Sequence, residues 1–203
     1  MKRITARFKL QRRLGVELPG LGKPGALARK PYPPGQHGNK RKKYSDYALR
    51  LEEKQKVRAH YIVTEKQLQR FIGQAKMGQS SNWTAKLVGM LERRLDNVVF
   101  RLGLAPSILA ARQMCSHGHV TVNGKKASTA SMVLSQGDQV TLTAKGLNSQ
   151  NYLQVKDKPR LELADYLRKE GDSGTVINTP GLEHIPFPFD AGLFTEYYAA
   201  KSV

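Results

Sequence analysis

Apolar side chains recur at spacings of three and four at Leu68, Phe71, Ile72 and Ala75. They follow Thr64-Glu-Lys-Gln67, in which the Thr hydroxyl and the Gln amide can satisfy each other's backbone N–H groups as a capping box. The pattern predicts an amphipathic helix. Upstream, Ser45 can cap a helix carrying Tyr47, Leu49, Leu51 and Val57, and downstream Leu87 and Leu91 share one face of a helix from about 83 to 93. These faces read as core.

The period changes after residue 94. Asp96 is expected to cap a short helix through Val98, Val99 and Leu102 that stops at Gly103. Ser107 then caps a second helix ending at His117-Gly118, where glycine supplies the left-handed residue. Val120 and Val122 alternate with polar residues before Asn123-Gly124, a strong hairpin signal, and alternation returns at Val140-Thr-Leu-Thr143 after a Gly137-Asp138 turn. The unit predicted is two short helices followed by a small antiparallel sheet. A last helix is expected from 161 to 169, and beyond it Gly, Pro and aromatic residues present no candidate site.

The chain has 203 residues, 39% of them hydrophobic, enough for one sizeable core or two small ones. Charge changes the picture more: 34 Lys+Arg stand against 16 Asp+Glu, a formal net charge of +18. Residues 1–60 carry 17 basic and 4 acidic side chains (+13), residues 61–160 carry 14 and 5 (+9), and residues 161–203 carry 3 and 7 (−4). Such a balance implies a polyanionic partner, nucleic acid before an anionic membrane. No apolar run approaches the roughly 18 residues of a membrane span, and the first ten residues have no run of signal-peptide length, so neither membrane nor export is expected. The single Cys115 allows no internal disulfide and fits a reducing, cytoplasmic setting.

From Met1 to about Lys43, basic clusters alternate with Gly and Pro, which break helices and bury little. Two readings stand: a flexible basic arm, or an extended arm that orders against a phosphate backbone. The recurrence of charge together with turns favours the second. The block Asn39-Lys-Arg-Lys-Lys43 also has the composition of a targeting signal.

The stretch Cys115-Ser-His-Gly-His119 invites a metal reading, but a structural zinc site needs four ligands and no second pair is visible. Positions 115 and 117 of a helix also lie about 200° apart. A Cys/His nucleophile would need an orienting acid and a pocket, which this stretch does not supply. Cys115, beside Met114 and Ala111, reads as a small buried hydrophobe. What remains is contact: Ser116, His117, His119, Asn123, Lys125 and Lys126 as polar tips on a rigid scaffold, suited to phosphate and ribose, with an ordinary solvated hairpin as the alternative.

Glu92-Arg-Arg-Leu-Asp-Asn-Val-Val-Phe-Arg-Leu-Gly103, Ala111-Arg-Gln113, Ser116-His-Gly-His-Val120 and Val122-Asn-Gly124 closely resemble the RNA-binding domain named after the fourth protein of the small ribosomal subunit. Many RNA enzymes carry that domain too. Pro34-Gly-Gln-His-Gly38, Ser45-Asp-Tyr47, Glu53-Lys-Gln-Lys-Val-Arg58 and Pro159-Arg-Leu-Glu162 resemble, in order, the signature segments of the ribosomal protein family itself.

The resemblance implies an α+β fold: a mainly helical domain (45–92 and 158–203) with an extended basic arm (1–44) and an inserted helix-helix-β-hairpin RNA-binding domain (93–157). It implies a non-enzymatic constituent of the small subunit that binds the 5′ domain of its ribosomal RNA at a multi-helix junction early in assembly. Neighbours would be ribosomal proteins three and five of that subunit, near the channel taken by messenger RNA, with an influence on decoding accuracy. No small-molecule substrate and no cofactor are implied.

Carried over by position, Arg94, Arg101, Arg112, Ser116, His117 and His119 would form the recognition face, with Asn123, Lys125 and Lys126 beside them. Lys2, Arg3, Arg12, Arg13, Lys40, Arg41, Lys42, Lys43 and Arg58 would hold backbone from the rest of the chain, while Asp96 would orient Arg94 or cap its helix. Two departures stand out. Some relatives bind zinc through N-terminal cysteines, which this arm lacks, so no metal is expected. Where relatives often have Ser-Arg, this chain has Ser107-Ile108. An RNA-modifying enzyme using the domain as a tether would need a catalytic pocket, and a free messenger-binding regulator is not separable from the ribosomal role by sequence.

Overall fold

A computed structural model describes residues 6–22, 24–40, 43–77 and 82–199. They fall into two compact units, one comprising the described residues within 1–80 and 185–203, the other those within the intervening 81–184.

In the first unit the helices are α1 (Arg7–Leu14), α2 (Ala26–Arg29), α3 (Asp46–His60) and α4 (Glu65–Lys76), with a last helix, α10 (Ala191–Ala199), packed against α3. Local signals act as read. Ser45 Oγ accepts the N–H of Ala48, and Thr64 and Gln67 close the capping box. The apolar face of α4 is buried at Leu68, Phe71, Ile72 and Ala75, against a core that includes Val57, Tyr61, Phe194 and Tyr198. Lys54, 6% exposed, is drawn into this core by Glu65 at 2.9 Å and by the hydroxyl and ring face of Tyr197.

Among the described residues from 6 to 40 the chain is not extended throughout, which corrects the arm expected from composition. Residues 7–14 are helical, and Gly15 ends α1 in the left-handed region. Leu14, Leu18 and Leu21 are buried, and Gln11 accepts the N–H of Leu18 at 2.9 Å. Burial of these three leucines favours a folded segment where turns and charges alone suggest an open chain.

The second unit contains α5 (Trp83–Glu92), α6 (Leu95–Arg101), α7 (Ile108–Ser116), the strands β1 (Val120–Val122), β2 (Lys125–Lys126) and β3 (Gln139–Leu142), two one-turn helices α8 (Ala144–Leu147) and α9 (Gln150–Leu153), and the strands β4 (Leu167–Glu170) and β5 (Ser173–Val176). The sheet order is β2-β1-β3-β5-β4, antiparallel throughout. Asn123 (φ +50°) and Gly124 (φ +75°) make the predicted two-residue hairpin, and Ser107 caps α7. The described chain is thus α+β. The buried face combines Val98, Val99, Phe100, Ile108, Ala111 and Met114 with Val120, Val140 and Val176. Ile108 is 2% exposed and belongs to the core.

Two local readings are corrected. Asp96 does not cap α6; Arg94 occupies the cap position, and segment 130–134 supplies partners to the helix start, with Leu95 N–H donating to the Met132 carbonyl at 2.8 Å and Asp96 N–H to that of Ala130 at 3.0 Å. The helix expected at 161–169 is absent: residues 167–170 are strand, turned at Gly171 (φ +60°) into β5. Pairing with β3 through β5 wins over weak helical spacing, and Gly174 allows it, because any Cβ there would collide with Leu102. Helix α5 and these strands therefore lie in the same compact unit as α6 and α7, beyond the limits 93–157.

Candidate nucleic-acid interface

Two carboxylates without solvent exposure organise the arginines of the second unit. Asp96, in the first turn of α6, accepts from Arg94 through Nε at 3.1 Å and Nη2 at 2.9 Å, and from Arg112 Nε on α7 at 2.9 Å. Glu92, at the end of α5, accepts through Oε2 from Arg101 Nε at 3.0 Å, Asn97 Nδ2 at 2.8 Å and the Tyr166 hydroxyl at 2.8 Å. Arg101 also donates to the His184 carbonyl. A buried carboxylate is tolerated only when opposed by charge and hydrogen bonds, and both are satisfied here. Asp96 faces two guanidinium groups, so its cluster keeps one positive charge in excess.

This arrangement relocates part of the expected recognition face. Arg94 and Arg101 are 2% and 5% exposed and lie in internal ion pairs. They build the scaffold. Arg112 is partly exposed, with one edge of its guanidinium bound to Asp96, so the carboxylate orients Arg112 as well as Arg94.

The outward surface lies where α7 meets the hairpin. Ser116 and His117 are exposed, His119 is half-buried, and the two imidazole rings are 6.0 Å apart. Lys126 lies across Gly118 between them, since a Cβ at Gly118 would strike its side chain. Lys125 and Lys126 are exposed. Asn123 is occupied: its amide donates to Asp138 at 2.8 Å and accepts the N–H of Gln139 at 2.9 Å, locking the hairpin to the 135–139 turn. Its place is a clamp beside the surface.

Burial pushes the Cys115 thiol up to about 12, with the charge of Asp96 adding to it, so it is neither nucleophile nor ligand near neutrality. Burial, then Glu92, raises the Tyr166 hydroxyl well above its ordinary value and keeps it a donor. Among the described residues no group of three His, Cys, Asp or Glu side chains is arranged to hold a metal ion, and no helix is long and apolar enough to cross a membrane.

In the first unit, Arg13, Lys40 and Lys43 are exposed. Arg12 donates to the carbonyls of Tyr32 and Pro33, and Arg58 pairs with Glu65 at 3.2 Å, so these two are engaged within the unit. Lys2, Arg3, Arg41 and Lys42 lie outside the described residues. Sequence reasoning missed Glu92 and Tyr166. The available signal was an acid in line with the apolar positions Val88, Leu91 and Leu95, where only a paired carboxylate fits.

Residues 2–92 match the family model for the ribosomal protein S4/S9 N-terminal domain, and residues 93–140 match that of the S4 domain. Over 97% of both chains, the protein is 52% identical to small ribosomal subunit protein uS4B of Bdellovibrio bacteriovorus. The chain belongs to the uS4 family of ribosomal proteins. It is 42% identical to small ribosomal subunit protein uS4 of Methylobacillus flagellatus (99% of this chain, 100% of the relative), and 44% identical to a uS4 protein of a Synechococcus strain over the same shares. The match over residues 93–140 contains α6, α7, β1 and β2 and ends within β3, while β4 and β5 lie beyond it.

Proposed function

We propose that this uS4-family protein grips the 5′ domain of small-subunit ribosomal RNA at a multi-helix junction, through the surface formed by Arg112, Ser116, His117, His119, Lys125 and Lys126. The broader role follows from the family: the chain is a structural constituent of the small ribosomal subunit that binds ribosomal RNA, and it is not an enzyme. Its place is the cytoplasmic ribosome. The observation that carries the finer reading is the division of labour in the second unit. Buried carboxylates hold the arginines rigidly, and a compact cationic rim with imidazole and hydroxyl groups is left outside. Lysines at the rim supply affinity through phosphates; a rigid array of polar tips suits RNA shape.

Arg13, Lys40 and Lys43, together with Lys2, Arg3, Arg41 and Lys42, would add backbone contacts from the first unit. Arg12, Arg58, Arg94 and Arg101 would contribute by positioning other groups, and Asn123 by fixing the hairpin. The family resemblance further supports ribosomal proteins three and five as neighbours, proximity to messenger RNA, and an indirect influence on decoding accuracy. The test is a salt titration of binding to a folded 5′-domain transcript beside a structured RNA of equal length. Tighter binding to the transcript at every salt concentration is expected; equal binding that weakens in parallel on both RNAs would leave only the +18 charge as the cause of binding.

A further inference from the structure

The loop 33–40 of the first unit is held more firmly than an exposed turn requires. Arg12 donates from Nε to the Tyr32 carbonyl at 2.9 Å and from Nη2 to that of Pro33 at 3.3 Å, and its guanidinium lies 4.9 Å from the Tyr32 ring centroid. Gly38 N–H donates to the Gly35 carbonyl at 3.2 Å, and Lys40 N–H to that of His37 at 3.1 Å. Gly35 sits at φ +111°, and any Cβ at Gly38 would collide with the Pro33 carbonyl oxygen. Two prolines, Pro33 and Pro34, restrict the chain before the turn.

At the tip of this built loop, Gln36 and His37 are exposed, and among the described residues neither side chain has a hydrogen-bond partner. Lys40 and Lys43 are exposed beside it. The arginine clamp fixes the backbone beneath the two exposed side chains. An amide carrying both donor and acceptor, next to an imidazole, can donate to phosphate and can also match the paired donors and acceptors of base edges and ribose hydroxyls, which ammonium groups cannot. Such edges are accessible where RNA is unpaired, because the major groove of paired RNA is too deep and narrow for side chains.

We propose that the Gln36–His37 tip reads base edges or 2′-hydroxyls in an unpaired stretch of ribosomal RNA, with Lys40 and Lys43 on adjoining phosphates and Arg12 as the positioning residue. The inference rests on the RNA-binding role proposed for this chain and adds a second, sequence-reading element to it.

The test compares full-length wild type with the Gln36→Ala/His37→Ala double variant, on a folded 5′-domain transcript and on a fully paired RNA of equal length, across salt concentrations. The double variant is expected to bind the transcript about tenfold more weakly, with an unchanged salt slope and unchanged binding to the duplex. Arg12→Ala should reproduce part of that loss and add nothing to the double variant, whereas Lys40→Ala should flatten the slope on both RNAs. Wild-type preference for the transcript that survives intact in the double variant would overturn the proposal while leaving the RNA-binding role in place. So would an equal loss on both RNAs. Absence of any wild-type preference would instead remove the role on which it rests.

Discussion

Both units hold particular arginines in internal contacts, but with different acceptors. In the second unit Arg94, Arg101 and Arg112 are held by carboxylates with no exposure, Asp96 and Glu92. In the first, Arg12 is held by two backbone carbonyls and Arg58 by the part-exposed Glu65. The difference teaches where rigidity comes from. A buried charge left without its partner is expensive, so the first three arginines cannot leave their places without disturbing the core, whereas losing a carbonyl acceptor costs about as much as one ordinary hydrogen bond. The second unit is a fixed scaffold by electrostatic necessity; the loop at 33–40 is fixed by cooperation of turns and one clamp.

The largest effect should come from breaking the scaffold. Asp96→Ala leaves Arg94 and Arg112 facing a void, and a loss of about 3–5 kcal/mol in unfolding free energy is expected in urea denaturation. A loss under about 1 kcal/mol would mean that the pairs are solvent-screened and the contrast between the units fails.

A comparable but pH-dependent effect sharpens the same contrast. The folded thiol of Cys115 is raised from an ordinary 9.0 to about 12, so below pH 9 its burial contributes stability in full. Above pH 9 the unfolded chain releases this proton and the folded one retains it. Stability is therefore lost progressively between about pH 9 and 12, by at most about 4 kcal/mol from this group. Chemical denaturation of wild type and Cys115→Ala across that window checks the sign: the wild type should fall more steeply. Native protein at pH 8 should also resist thiol alkylation.

The smallest effect on stability is expected at the rim. Lys125→Ala/Lys126→Ala should leave the unfolding midpoint in place, since both side chains are exposed. It should lower the slope of log binding constant against log salt by about one for each phosphate that a removed ammonium group had neutralised. An unchanged slope would place the RNA elsewhere on the unit.

Much of the fold was legible in short stretches. The caps at Ser45, Thr64 and Ser107, the alternation at Val120 and Val122, and the Asn123-Gly124 turn are interactions between residues a few positions apart, and a sequence displays them directly. The exposed members of the candidate surface, Ser116, His117, Lys125 and Lys126, could be read for the same reason: they sit at element ends and a turn, where no packing competes for them.

What only the tertiary structure decided involves partners far apart in the chain. Whether residues 167–170 are helix or strand depended on β5 and, through it, on β3. Whether Asp96 capped a helix or paired with arginines depended on carbonyls from segment 130–134 and on Arg112, one helix away. The direction in which an arginine points is the clearest case. Composition counts each as a charge available to a polyanion, yet Glu92 and Asp96 hold Arg94 and Arg101 inside and fix one edge of Arg112, because a carboxylate buried by packing is tolerated only with an opposing charge beside it. The sequence by itself determined that this protein carries a large positive charge and the local elements to display it; long-range burial selected which of those charges are displayed.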